Sequence, residues 1–397
     1  MKIKIKKGIK SFLYRVGFDI DKNFKIIPLF IKNVFKRNTT KRVLISYNTY
    51  YFVDKNNIRH SNIMECYTIA KIFDKLGFSV DVADHSSKKK IDYSKYEIIY
   101  GLGDVFEKSF FYNKKKIIRI FYSTGCNPFY SNLKTMLRIR DFYHSHGLIA
   151  LSSARIAKNF YFQTLFSDEI IALGNNFVSN TYTKINKYGP NISNLKLFFY
   201  DTYDIDLKQK NISLIKNSFL WFGSLGLIHK GLDLLIDIFS KHKDLTLHIC
   251  GASNSEKEFF TYYNKILQKS KNIINHGFVD LRSEEFKNIM NQCAFVIYPS
   301  VSEGCPSSVL NVIANGGLIP LITKSSGLDI DDFGFIIKDT KKKFVYEAIQ
   351  KALSLSEEDI LSLSLMAKKT IRENYSYENY ENNLSKIIEN IVKKYNL

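Results

Sequence analysis

The sequence predicts two doubly wound α/β domains in series, each a parallel sheet covered by helices. Three observations carry that expectation. A chain of 397 residues is longer than one ordinary hydrophobic core fills. Short apolar runs alternate with longer helical patterns, the rhythm that builds parallel sheets. The rhythm lapses over the irregular, polar residues 184–217 and then begins again.

In the first half, Arg42–Asn48 reads as a strand and Ile63–Leu76 as a helix with Ser61 as its cap. Further strands are expected at Ser79–Val82, Glu97–Gly101, Lys116–Tyr122, Leu148–Ser152 and Glu169–Leu173. In the second half the expected strands are Phe219–Phe222, Leu245–Cys250, Ile273–Asn275, Ala294–Tyr298 and Leu318–Ile322. Helices are expected between them at Lys230–His242, Glu256–Lys269, Ser283–Gln292 and Ser307–Ala314. Three more helical patterns, Lys343–Leu355, Glu357–Asn374 and Glu378–Tyr395, close the chain. The predicted division is a leader over 1–41, a first domain over 42–205, a second over 206–374, and a final helix over 375–397. In sheets of this kind ligands sit beyond the carboxyl ends of the strands. Chemistry is therefore expected in the loops after Phe222, Asn275 and Tyr298, facing those after Tyr47 and Tyr122.

Charge is concentrated at the start of the chain. Residues 1–42 hold 13 Lys or Arg against two Asp, a net +11 of the chain's +20. Ile5, Ile9, Phe12, Leu13 and Val16 fall at helical spacing, with Lys2, Lys6, Lys7 and Lys10 mostly on the other face. Such a segment either rests on an anionic membrane surface or is a solvated helix packed on the domain. The cluster Ile26–Ile31 is broken by Pro28 and is too short for a signal-peptide core. No zinc-finger spacing or aromatic RNA-binding run accompanies the charge, so no nucleic-acid partner is expected. Five cysteines with no C-x-x-C pair point to reduced thiols in a cytoplasmic protein, which excludes a disulfide framework and a structural zinc site.

Three loops of the second half are unusual. In FGSLGLIHKGLD (222–233), Gly223 and Gly226 permit a tight turn with exposed amides, and Lys230 opens the next helix. It is no Walker A loop, so a flexible connector with one exposed Lys is the competing reading. Asn275-His276-Gly277-Phe278-Val279 ends a strand with a glycine and an aromatic ring. Tyr298-Pro299-Ser300 ends another, Glu303-Gly304-Cys305-Pro306 turns, and Ser307 or Ser308 caps a helix. A helix N-terminus behind such a turn is a ready phosphate site.

The order G-x-L…K-G-x-D-x-L, H-G-F-V, Y-P-S-x-x-E-G-x-P-x-S-V-L and A-N-G-G-x-I-P resembles the nucleotide-sugar half of the retaining glycosyltransferases of family 4. The resemblance implies the GT-B fold, two Rossmann-like domains facing a central cleft, and is specific over residues 219–323. Over 42–180 it is looser: Phe121–Gly125 with Arg138, Arg140 and His144 looks like a variant among bacterial surface-polysaccharide transferases. By this resemblance Lys230 contacts the donor's diphosphate and Glu303 binds sugar hydroxyls, the two catalytic assignments. Gly223, Ser224, Gly304, Ser307, Ser308, Val309 and Asn311 are its donor-binding positions, with Gly277 and Phe278 framing the base. Thr124, Gly125, Arg138 and His144 are its acceptor-side positions.

Two positions depart from the pattern. Asn311 stands where the family carries a second Glu, and Ser224 where an Arg often follows the first glycine. No metal or other cofactor is expected. The three D-I-D tripeptides, at Asp19–Asp21, Asp204–Asp206 and Asp329–Asp331, fall in unrelated contexts, and no histidine spacing suits a metal. Residues and resemblance together imply a cytoplasmic transferase, either peripheral on the inner face of the membrane through its leader or with that leader packed on the domain. It would move a sugar from a nucleotide-diphosphate donor to a glycan or lipid-linked acceptor. A nucleotide-sugar epimerase or hydrolase of the same fold, or a noncatalytic binding subunit, are the alternatives.

Overall fold

The computed structural model describes residues 12–14, 16–20, 26–54, 61–113, 116–158, 160–252 and 255–397. Among them a seven-stranded sheet runs in the order Phe30–Ile31, Ser79–Asp84, Arg42–Tyr47, Ile98–Gly101, Ile118–Ser123, Glu169–Leu173, Asn191–Leu195. All its pairings are parallel except that of Phe30–Ile31 with Ser79–Asp84. A second, six-stranded sheet is parallel throughout, in the order Ile273–Gly277, Thr246–Cys250, Ser218–Phe222, Phe295–Tyr298, Ile319–Thr323, Phe335–Ile337. Helices cover both sheets, which is why the inner strands read as unbroken apolar runs rather than alternating ones. Ile98–Gly101 and Phe295–Tyr298, for example, are buried at every position.

Two departures from the sequence reading share one cause. Leu148–Ser152 is no strand: Leu151–Ser153 forms a 3-10 turn, and Ile149 and Leu151 are exposed. Ile118–Ser123 already pairs directly with Glu169–Leu173, so no slot for it exists between them. The sheet instead ends in Asn191–Leu195, from the stretch read as irregular, whose polar, half-exposed residues suit an edge strand. Phe335–Ile337 is the outer strand on one side of the second sheet.

Most of the basic amphipathic segment lies outside the described residues. Beyond it the leader is part of the first domain. Ile26–Pro28 pairs antiparallel with Phe18–Ile20, Ile27 and Leu29 are buried, and Phe30–Ile31 extends the first sheet.

The chain crosses between the domains twice. Residues 196–217 lead into the second domain, and helix Glu357–Asn374 hands over to helix Tyr377–Lys394, which lies on the first. That last helix is held there by the hydroxyl pairs Tyr377–Thr68 at 2.7 Å and Tyr380–Tyr122 at 3.0 Å. Ion pairs add Glu381 to Lys71 at 3.0 Å and Lys394 to Glu169 at 2.5 Å. The helix's own Leu384 and Ile388 are fully buried. The two crossings touch each other, the Phe199 N–H donating to the Tyr375 carbonyl at 3.1 Å.

Candidate active site

The carboxyl ends of both sheets face one cleft, a cavity of ≈ 510 Å³. The second domain contributes the ends of four strands: Phe222, Gly223 and Ser224; Gly251; Phe278 with the residues to Arg282; and Tyr298 with the turn to Ser308. The first contributes Tyr47, Glu65, His85, Thr124 and Arg155. Leu197, Tyr200 and Thr202 of the crossing chain floor it.

Glu303 is the focus of the charge. Its carboxylate accepts from Arg155 Nη1 at 2.8 Å, Tyr298 Oη at 3.2 Å and Ser300 Oγ at 3.3 Å. Burial alone would raise its pKa, but the charges of Arg155 and Lys230 override it and hold the group at about 2. Glu303 is thus ionised at any physiological pH. Lys230 is buried and faces the same cleft; desolvation, opposed by Glu303, brings its ammonium down to about 8. His229 beside it is buried and neutral, brought down to about 4 by burial and by Arg155. Its Nε2 lies 2.7 Å from the Ser302 carbonyl, which cannot donate, so Nε2 carries the proton. Nδ1 then accepts from Thr135 Oγ1 at 2.7 Å, and the ring pins the Glu303 turn from below.

The turn is also wedged against the first domain, and glycines make this possible. A Cβ on Gly304 would stand 2.5 Å from the Thr124 carbonyl oxygen and 2.9 Å from that of Leu173. Gly174 and Gly327 press on the Gly304 carbonyl from two other sides, both at positive φ. Cys126 Sγ donates to the Glu303 carbonyl at 3.2 Å. Gly304 and Gly125 therefore serve close backbone approach between domains, not contact with the cavity.

Helix Ser307–Gly316 starts from this turn. Pro306 stands at its N-cap and provides no side-chain cap, so neither Ser307 nor Ser308 caps it as the sequence suggests. Ser308 Oγ instead donates to the Phe222 carbonyl at 2.6 Å, tying the start of this helix to the end of strand Ser218–Phe222. Both serines line the cleft, so the positive end of the helix dipole opens onto it. Val309 is fully buried behind them and does not line the cavity.

The loop 222–233 corrects a second expectation. The amides of Gly226 and Leu227 are not free for a ligand: both donate to Glu256, at 2.5 Å and 3.0 Å. Gly223 donates to the Cys250 carbonyl at 3.1 Å. The loop is thereby a rigid mount for Lys230, whose carbonyl accepts from Trp221 Nε1 at 3.2 Å. Ser224 and the 65%-exposed Phe278 ring line the cleft, while Gly277 only makes the turn before Phe278, at φ 68°. Asn311 also reaches the cavity wall, but its amide is committed: Oδ1 accepts from the Tyr200 N–H and Nδ2 donates to the Ser307 carbonyl, each at 2.7 Å.

Of the acceptor-side positions, Thr124 lines the cleft. Arg138 does not: it is buried against Asp233 at 2.6 Å, an ion pair between the domains. His144 is exposed near the end of helix Pro128–His146, away from the cleft. The strand expected after it would have aimed it inward, and that strand does not form. Arg140 is also exposed, pairing with its neighbour Asp141.

Two cleft residues escape the sequence motifs. Arg155 follows a turn that reads as a strand, and no local pattern marks it. Glu65 sits in an ordinary helix, Ser61–Lys75, yet its buried carboxyl accepts from Tyr47 and Tyr122, both at 2.9 Å. Burial raises its pKa, opposed by those hydrogen bonds. Neither has a signal in sequence, because each depends on partners far along the chain. Among the described residues no cluster of three or more His, Cys, Asp or Glu could hold a metal ion. No described helix is long and apolar enough to cross a membrane.

Comparison with known proteins agrees with this architecture. Residues 204–374 match the family described as Glycosyl transferases group 1. The fold is GT-B. A glycosyltransferase from Rickettsia africae aligns over 89% of this chain and 100% of its own, with TM-score 0.57 at 13% identity. HepE of Anabaena, solved with UDP and glucose, aligns over 88% and 100%, with TM-score 0.56 at 11% identity. The pneumococcal O-GlcNAc transferase GtfA, solved with UDP and GlcNAc, covers 74% of this chain with TM-score 0.51 at 14% identity. The chain spans only 57% of GtfA, and 54% of S. aureus TarM. No curated protein matches it significantly by sequence.

Proposed function

We propose that this protein is a glycosyltransferase that moves a sugar from a nucleotide-diphosphate donor to a glycan or lipid-linked acceptor, with retention of configuration, in the manner of family 4. The observation that carries the reading is Glu303: an ionised carboxylate in the interdomain cleft, beside Lys230 and the uncapped end of helix Ser307–Gly316. Carboxylate and cations have separate tasks in such a site. The helix end and Lys230 offset the charge that grows on the diphosphate as it leaves. Glu303 holds hydroxyls of the sugar and fixes its anomeric carbon. The leaving phosphate takes the acceptor's proton on the same face, which is how configuration is retained. The cleft walls exclude water, so the sugar passes to the acceptor rather than being hydrolysed.

Cations and dipole suffice for the diphosphate in this scheme, and no metal or other cofactor is assigned. The acceptor enters from the first-domain wall, near Thr124 and Glu65. Synthesis of a bacterial surface polysaccharide is the role that fits, at the cytoplasmic face of the membrane, with the basic residues before Phe12 resting on anionic lipid.

The test is turnover of UDP-sugars, and of the corresponding GDP- and ADP-sugars, with and without added acceptors. Glu303→Gln should lower transfer at least 100-fold while nucleoside diphosphate binding persists. Full activity in that variant would sink the assignment of Glu303, and release of free sugar as fast without acceptor as with it would favour a hydrolase.

A further inference from the structure

A donor diphosphate brings at least two negative charges, and the second domain offers it one buried cation, Lys230. Position 224 holds a serine. Arg282 lines the rim of the cleft on the second domain, paired with Asp280 at 3.4 Å, and a further cation stands at Glu303, supplied by the other domain. Arg155 follows the turn Leu151–Ser153. From there its methylene stem lies across the loop that mounts Lys230. A Cβ on Gly226 would stand 2.4 Å from Arg155 Cδ and 2.7 Å from Cγ, so only glycine lets the stem cross there.

The guanidinium ends 2.8 Å from Glu303, yet the side chain remains 43% exposed to the cleft. One N–H is engaged with Glu303, and a guanidinium has five in a planar fork suited to phosphate. The stem is fixed where it crosses the loop, and the side chain as a whole stays partly open to the cleft. A side chain meant only to neutralise Glu303 would be sealed against it, as Arg138 is against Asp233 at 4% exposure.

We propose that Arg155 is a second diphosphate-binding residue of the donor site, supplied by the first domain, where the second domain has only Ser224. This rests on the donor reading above. It adds that the diphosphate is gripped from both domains at once, so donor binding and domain closure are one event. The pair with Glu303 marks where the guanidinium waits before a donor arrives.

The experiment uses the full chain and measures affinities for UDP, GDP, ADP and CDP and for the matching nucleosides by titration calorimetry. The tightest diphosphate is then titrated into Arg155→Met, Glu303→Gln and the double variant. The expected result is a tenfold or greater loss of diphosphate affinity with Arg155→Met, equally in the Glu303→Gln background, and unchanged nucleoside affinity. Arg155→Lys, which keeps the stem and the charge, should fall between and melt with the native chain. A loss seen only while Glu303 is present would show that Arg155 merely positions Glu303 and would overturn the proposal. So would no loss at all, or equal losses for nucleoside and diphosphate. If the native chain binds none of the four diphosphates, the donor reading itself fails, and this proposal with it.

Discussion

Removing either member of the Arg138–Asp233 pair should destabilise the protein, while removing both should not. The two side chains are 4% and 1% exposed and come from different domains, on helices Pro128–His146 and Leu232–Phe239. They share one hydrogen bond of 2.6 Å, and Arg138 Nε and Asp233 Oδ1 are left buried without a partner. A lone buried charge left by a single substitution costs about 3–5 kcal/mol. Each unmet buried polar atom already costs about 1–3 kcal/mol, which the double replacement removes. Asp233→Leu and Arg138→Met should therefore each lose about 3–5 kcal/mol, and the double variant should match the native chain or exceed it. Urea unfolding of the four chains, with thermal midpoints alongside, measures this. Single variants within about 1 kcal/mol of native, or a double variant as weak as the two losses summed, would refute the reasoning.

Two further outcomes follow from the cleft. Lys230 loses its charge as pH rises through about 8, whereas an exposed lysine keeps it to about 10.4. Affinity for a nucleoside diphosphate should accordingly fall between pH 7 and 9, and Lys230→Met should be weaker at pH 7 and flat over that range. Asn311→Leu removes the side-chain acceptor of the Tyr200 N–H, so its denaturation midpoint should report a loss of about 1–3 kcal/mol. An unchanged midpoint would show that this contact is dispensable.

The parallel rhythm was legible because buried inner strands such as Phe295–Tyr298 are apolar on both faces. Asn191–Leu195 was not, since an edge strand half open to solvent has no such constraint. Leu148–Ser152 misled for the converse reason: its apolar residues lie on the surface around Ile149 and Leu151. Within the site, Lys230, Glu303 and the serines could be placed from sequence because they sit at fixed offsets from strand ends. The true partners of those groups could not. Arg155 meets Glu303 across 148 positions, and Glu256 reaches the Gly226 amide across 30. Asn311, conspicuous in sequence as a missing carboxylate, is understood only once Tyr200 is seen against it.

The Phe199–Tyr375 hydrogen bond sets the mechanics of the cleft. Two chain crossings, laid side by side and stitched together, behave as a hinge leaf rather than a flexible tether. Asn315 bolts that leaf to the second domain, accepting from the Thr202 and Tyr203 amides at 2.9 Å and 2.8 Å. Tyr377 and Tyr380 bolt it to the first. A body fixed along one edge swings about that edge and resists shear and twist. Travel is then smallest beside the hinge, where Tyr200 lies, and grows with distance from it, so the cleft should open like a book as the Arg138–Asp233 and Cys126–Glu303 contacts part.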